Sequence, residues 1–119
     1  MKSWQSTRVH PDATLREALA AIDAGGRQMA VVVDAEGRLV GTLSDGDIRR
    51  HLIGGGTIDE RAGEVCNRNP TTAPQSATAA ELMAMMRARG VHQMPVVDES
   101  GRIVGLSTVD DFLQYPDRE

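Results

Sequence analysis

Val32-Val33-Asp34-Ala35-Glu36-Gly37-Arg38-Leu39-Val40-Gly41 and Val96-Val97-Asp98-Glu99-Ser100-Gly101-Arg102-Ile103-Val104-Gly105 are the same passage used twice, 64 residues apart. Each runs from an apolar, β-branched pair into an aspartate-to-glycine turn and out into a second apolar stretch. An acidic residue opens such a turn by bonding backbone N–H groups, and glycine closes it by accepting positive φ. Each passage therefore reads as a β-hairpin. The same offset aligns Ala13-Thr14-x-x-Glu17 with Ala77-Thr78-x-x-Glu81 and Asp47 with Asp111. Between His10 and Ile48 the register needs no gap, and about a third of positions are identical. Chance would leave roughly one in fifteen, so the chain is an internal duplication.

Each copy predicts one order of elements. Thr14 and Thr78 are N-cap residues, with Glu17 and Glu81 completing capping boxes. Leu15, Ala18, Leu19 and Ile22 recur at helical spacing in the first copy, and Leu82, Met83, Met85 and Met86 take that place in the second. Gly26 and Gly90 end these helices. Short strands follow over 30–33 and 94–97, then 38–43 and 102–107, and a last helix opens after Ser44 and Thr108. The extended segments 6–9 and 71–73 can supply a third strand to each copy. The unit is β-α-β-β-α, and two such units packed sheet to sheet give an α+β fold that buries both sheets. The expected division is a first repeat at 1–56, a linker with a short helix at 57–70, a second repeat at 71–115 and a tail at 116–119. Gly54-Gly55-Gly56 reads as a flexible break, followed by a helical stretch over 58–66.

Composition removes several function classes. The chain has 119 residues, a net charge of −4 and 3% aromatic residues. A general nucleic-acid binder needs a basic surface and stacking aromatics, and neither is present. No apolar run is longer than that at 29–33, which is too short to span a bilayer. Met1-Lys2-Ser3-Trp4 lacks the apolar stretch of a secretory leader, so a cytoplasmic location is expected. The single cysteine, Cys66, rules out an internal disulfide and reads as a small buried apolar group. His10 and His51 have no partners at metal-ligand spacing.

The chemistry concentrates where strand gives way to helix. A strand that ends in Ser44 or Thr108 and opens into a helix offers N–H groups and a partial positive charge to an anion. Asp47 and Asp111 lie three residues on, where a carboxylate can accept from two vicinal hydroxyls. Ser-x-x-Asp is equally a capping arrangement, and the two roles can coexist because the cap uses part of each side chain's capacity. Arg49 and Arg50 can reach a phosphate or remain solvated. Asp45, Asp47, Asp110 and Asp111 suggest paired carboxylates, yet no activated nucleophile or glycine-rich phosphate loop accompanies them, so no catalysis is expected.

Gly41-Thr42-Leu43-Ser44-Asp45-Gly46-Asp47 and Gly105-Leu106-Ser107-Thr108-Val109-Asp110-Asp111 resemble the CBS-domain signature, and Gly90-Val91-His92-Gln93-Met94-Pro95-Val96-Val97-Asp98 resembles that family's run into its second strand. The resemblance covers residues 3–114. It implies a pseudo-twofold disc, and a regulatory ligand-sensing module in place of an enzyme. The implied ligand is an adenine nucleotide, AMP, ADP or ATP, whose ribose would bond Asp47 or Asp111. It implies clefts made by both copies: Thr7, Gln28, His92 and Leu106 beside Asp111, and Thr42, Thr71, Gln28 and His92 beside Asp47. A homodimer through the last helices is also implied. Ser44-Asp45-Gly46-Asp47-Ile48-Arg49-Arg50 and Cys66-Asn67-Arg68-Asn69-Pro70 are similar to CBS pairs that precede a sugar-nucleotidyltransferase domain. The chain departs from the pattern at Gln93, often arginine in nucleotide-binding relatives. The first copy has Val31 where the second has Pro95, and Gln28 where the second has His92, so the two clefts are expected to differ. A dimerisation module without ligand, or a binder of S-adenosylmethionine or another adenosyl compound, are the alternatives.

Overall fold

The computed structural model describes residues 4–26 and 28–109. The chain divides into two units, Met1–Pro70 and Thr71–Glu119. The first contains a 3-10 turn (Trp4–Thr7), β1 (Arg8–Val9), α1 (Leu15–Gly25), β2 (Met29–Val33), β3 (Leu39–Ser44), α2 (Asp45–Ile53) and α3 (Ala62–Val65). The second contains β4 (Ala73–Pro74), α4 (Ala79–Arg89), β5 (Gln93–Val97) and β6 (Ile103–Thr108). The fold is α+β, with one three-stranded sheet per unit, ordered β1-β2-β3 and β4-β5-β6.

The duplication holds at the level of register. In each unit the short first strand runs parallel to the middle one, which pairs antiparallel with the third. Met29 pairs with Ser44 as Gln93 pairs with Thr108, and both ladders shift register at the second pair of valines, Val32/Val33 and Val96/Val97. The hairpins share one mechanism. Asp34 Oδ1 accepts from the Glu36 and Arg38 amides, and Asp98 Oδ1 accepts from those of Ser100 and Arg102. Gly37 and Gly101 close the turns at φ 86° and 87°, a region that disfavours any residue with a Cβ. The helices are bounded as their sequences dictate. Thr14 and Thr78 form complete capping boxes with Glu17 and Glu81, and Gly26 and Gly90 end α1 and α4 in the left-handed conformation.

The core of the first unit joins Leu15, Ala18 and Ile22 of α1 to Ala30, Val32 and Leu43 of the sheet and Ile48 of α2. Ala62 and Cys66 complete it, and burial pushes the Cys66 thiol pKa up. The core of the second unit joins Ala73, Met86 and Met94, with Leu82 and Met85 packed against it. Pro95 is fully buried in the middle strand. β4 reaches only Val96 and Val97, so the missing Pro95 amide interrupts no β4 pairing.

Three local expectations change. Ser6 and Thr7 belong to a 3-10 turn and not to the first strand, because the Thr7 hydroxyl donates to the Trp4 carbonyl at 2.6 Å and curls the chain. The glycine run at 54–56 is bonded, not loose: the Gly54, Gly55 and Gly56 amides donate to the carbonyls of Arg50, Leu52 and His51 and wind down α2. The helix expected over 58–66 contracts to Ala62–Val65, because the stretch before it is spent on α1. The Leu15 and Arg16 amides, which lack partners inside their own first turn, donate to the carbonyls of Glu60 and Ile58. The Ala62 and Gly63 amides donate to Ala13 and Pro11, and Asn67 exchanges two backbone bonds with Thr42 at 2.9 and 3.0 Å. Residues 57–67 are therefore stitched to the first unit along their length.

Candidate functional site

The corner where β3 becomes α2 is held by reciprocal bonds. Ser44 is extended at φ −92°, ψ 164°, and its Oγ accepts from the Asp47 amide at 3.0 Å. Asp47 Oδ2 accepts from the Ser44 amide at 3.0 Å. The capping role is thus occupied, but it uses one acceptor direction of Ser44 and one oxygen of Asp47. The Ser44 hydroxyl proton can still be donated, and each carboxylate oxygen retains a lone pair. Both side chains lie at the positive end of the α2 dipole, where an anion is favoured.

Around this corner the first unit places the other expected residues at three depths. Gln28 immediately precedes β2, and its carbonyl accepts from the Asp45 amide at 3.5 Å, so it touches the start of α2 through its backbone. Gln28 holds φ 65°, the one positive φ outside glycine among the described residues. Such a conformation is uncommon for a residue with a Cβ and is kept where surrounding structure demands it. Its side chain is exposed. Thr42 is buried in β3 with its backbone bonded to Asn67. Thr7 is buried without exposure against Gly25, where a Cβ would lie 2.3 Å from Thr7 Cγ2. In this structure Thr7 and Thr42 are packing residues, whereas Ser44, Asp47 and Gln28 reach the surface.

In the second unit Thr71 is half-buried ahead of β4. His92 is exposed before β5, and its carbonyl accepts from the Val109 amide at 3.1 Å, the same bond that Gln28 makes to Asp45. Leu106 is buried in β6 opposite Pro95, and Thr108 is buried at the strand end opposite Gln93. Asp111 lies outside the described residues. An open cleft of about 570 Å³ lies at the hairpin end of this sheet, lined by Pro74, Gln75, Ser76 and residues 97–100. It is at the opposite end of the strands from Thr108 and includes none of the expected residues.

Sequence reading missed two ion pairs beside the corner. Arg50 Nη2 lies 2.8 Å from Asp47 Oδ1, and Arg49 Nη2 lies 3.2 Å from Asp45 Oδ2. The i,i+3 and i,i+4 spacings were the available signal. His51 is also engaged: its Nε2 lies 2.9 Å from Glu60 Oε2, which accepts from the Thr57 amide at 2.6 Å. The Thr57 amide and the His51 ring hold the Glu60 carboxyl below its ordinary pKa. Among the described residues no group of three or more His, Cys, Asp or Glu could hold a metal ion, and no helix is long and apolar enough to cross a membrane.

Known proteins share this sequence and this fold. Arabinose 5-phosphate isomerase GutQ of Escherichia coli (strain K12) is 30% identical over 102 residues, covering 86% of this chain. The chain spans about a third of the length of that relative, 32%. The curated relatives GutQ and KpsF are arabinose 5-phosphate isomerases, whereas residues 44–50 and 66–70 resemble the CBS pairs of sugar-nucleotidyltransferases. Many solved structures share the fold, among them these two. The cytosolic domain of the Mg2+ channel MgtE, solved in complex with ATP, is 30% identical with a TM-score of 0.74, over 89% of this chain and 43% of that one. The CBS domain pair of protein MJ0100, solved with 5′-methylthioadenosine and S-adenosyl-L-methionine, is 25% identical with a TM-score of 0.78, over 90% of this chain and 87% of that one. The CBS domain model matches residues 5–54 and again 62–118, so the chain belongs to the CBS domain family and carries a CBS pair.

Proposed function

We propose that this CBS pair senses an adenine nucleotide, AMP, ADP or ATP, and governs an attached or partner enzyme of sugar-phosphate metabolism. The observation that carries the reading is the Ser44–Asp47 corner: a hydroxyl and a carboxylate at a helix N-terminus, each with bonding capacity beyond the cap. In this reading Asp47 accepts from the ribose hydroxyls and Ser44 donates to a phosphate or ribose oxygen. Asp111 and Thr108 repeat the pattern in the second unit by sequence. Gln28 frames the approach to the first corner and His92 the approach to the second, each beside the helix start that its carbonyl accepts from. The ATP complex of the MgtE relative supports a nucleotide. The length and identity of the curated relatives support a sugar-phosphate isomerase as the enzyme class governed. The protein works as a homodimer in the cytoplasm.

The ligand acts by binding one arrangement of the module more tightly than another, since only differential affinity transmits a signal. A melting curve with each nucleotide tests the reading. A ligand at about 100 times its Kd adds about 2.7 kcal/mol to stability. The expected result is a rise in Tm with at least one adenine nucleotide that Asp47→Ala, Asp111→Ala or both together remove. No rise with any of them at millimolar concentration overturns it. One alternative has support of its own: the MJ0100 pair holds adenosyl compounds, and Gln93 leaves one basic group fewer for a polyphosphate. Competition between AMP and S-adenosylmethionine separates the two.

A further inference from the structure

The guanidinium of Arg50 folds back across the first turn of α2. It lies 2.8 Å from Asp47 Oδ1, and a Cβ built on Gly46 would stand 3.2 Å from Arg50 Nη1. A side chain at position 46 would crowd the guanidinium and shift it by a few tenths of an ångström. Arg49 is held elsewhere, on Asp45, so Arg50 is the cation that covers the candidate carboxylate. Asp47 thus spends Oδ2 on the cap and Oδ1 on Arg50. The pair is open to water, with Arg50 71% and Asp47 36% exposed. An exposed ion pair is weak and readily exchanged. The second repeat is built differently in sequence: Asp110 stands at the position of Gly46, and the neutral Gln114 at that of Arg50.

We propose that Arg50 is the charge-selecting residue of the Asp47 corner. It yields Asp47 Oδ1 to a ribose hydroxyl and pairs with the phosphate of the same ligand. The inference rests on the adenine-nucleotide reading above. An uncharged nucleoside competes with Arg50 for Asp47 Oδ1 and gives it nothing in return. A nucleoside phosphate supplies a replacement anion, and a guanidinium bonds phosphate oxygens in pairs. The corner therefore prefers a phosphorylated nucleoside over its uncharged parent. The second repeat, with Gln114, lacks that discrimination.

Isothermal titration of the full chain with AMP and with adenosine tests this in an Asp111→Ala background, which removes the second candidate carboxylate. The expected result is AMP binding at least about tenfold tighter than adenosine, a charge-assisted difference. Arg50→Gln, which copies the second repeat, is expected to collapse that ratio to within about threefold, chiefly by weakening AMP. Arg50→Lys is expected to keep part of it. Equal weakening of both compounds, or a ratio indifferent to Arg50, overturns the proposal. If both compounds bind, Asp47→Ala abolishes both and the ratio ignores Arg50, the site reading stands and the Arg50 proposal falls. If neither compound binds the background chain, the Arg50 proposal falls; if neither binds the parent chain as well, the adenine-nucleotide reading falls with it.

Discussion

In the first unit β2 is buried from Ala30 to Val33, whereas in the second β5 is buried at Met94 and Pro95 and only half-buried at Val96 and Val97. Leu15, fully buried on α1, is matched by exposed Ala79 on α4, and buried Leu43 by half-buried Ser107. The turns and caps show no such divergence: the aspartate turns, capping boxes and left-handed glycines coincide residue for residue. Backbone punctuation has been kept in duplicate while the core was free to change. That follows from how each is specified. A turn needs one residue type at one dihedral angle, whereas a core accepts many combinations of roughly equal volume.

Covering accounts for part of the difference. Residues 57–67 return across the first unit, and a Cβ on Gly41 would meet Asn67 O at 2.4 Å and Cys66 Sγ at 2.7 Å. Among the described residues, a Cβ on the equivalent Gly105 would meet Val96 Cβ at 3.8 Å. The same signature glycine is closely covered by residues 66 and 67 in the first repeat, and by no described residue in that way in the second.

The sharpest way to break the comparison is to exchange core positions. Leu15→Ala is expected to cost about 2–5 kcal/mol in urea unfolding, whereas Ala79→Leu at the matching exposed site stays within about 0.5 kcal/mol. Comparable effects would show that the units do not differ as described. Next come the signature glycines. Gly41→Ala is expected to cost about 1–3 kcal/mol through overpacking, and Gly105→Ala about 0.5 kcal/mol or less; equal losses would remove the account of the covering segment. Ser44→Ala and Thr78→Ala each delete a cap and are expected to cost about 1 kcal/mol. Of these two, only Ser44→Ala is expected to diminish the nucleotide-induced rise in Tm.

The smallest effect concerns pH. The Glu60 carboxyl is held below its ordinary value of 4.5, first by the Thr57 amide and then by His51. Its charged form is favoured in the folded state, so its contribution is complete above pH 4.5. That contribution is lost as the pH falls through the lower folded value. Glu60→Gln is expected to flatten this part of the acid unfolding curve and to leave the curve above pH 6 nearly parallel to that of the parent. An unchanged acid limb would show that the Thr57–Glu60–His51 bonds do not hold α2 to the following loop.

The fold was legible because its signals are local and repeated. Asp34 and Gly37, Thr14 and Glu17, and Gly26 each name a dihedral or a bond, and each recurs 64 residues later. What stayed hidden depends on partners that no motif names. The curl at Thr7 depends on a carbonyl three residues back, the shortening of α3 on amides at Leu15 and Arg16, and the burial of Gly41 on Asn67. At the candidate site, Ser44 and Asp47 were readable from spacing. The lid formed by Arg50 was not, because a run of two arginines on a helix ordinarily reads as solvated surface.

Native mass spectrometry of the freshly purified full chain, alone and with millimolar AMP or ATP, tests the central claim most directly. The account predicts a population carrying the added mass of an adenine nucleotide, diminished by Asp47→Ala and abolished when Asp111→Ala is combined with it. A chain that remains free of nucleotide at every concentration, or one whose bound fraction is indifferent to both aspartates, would contradict it.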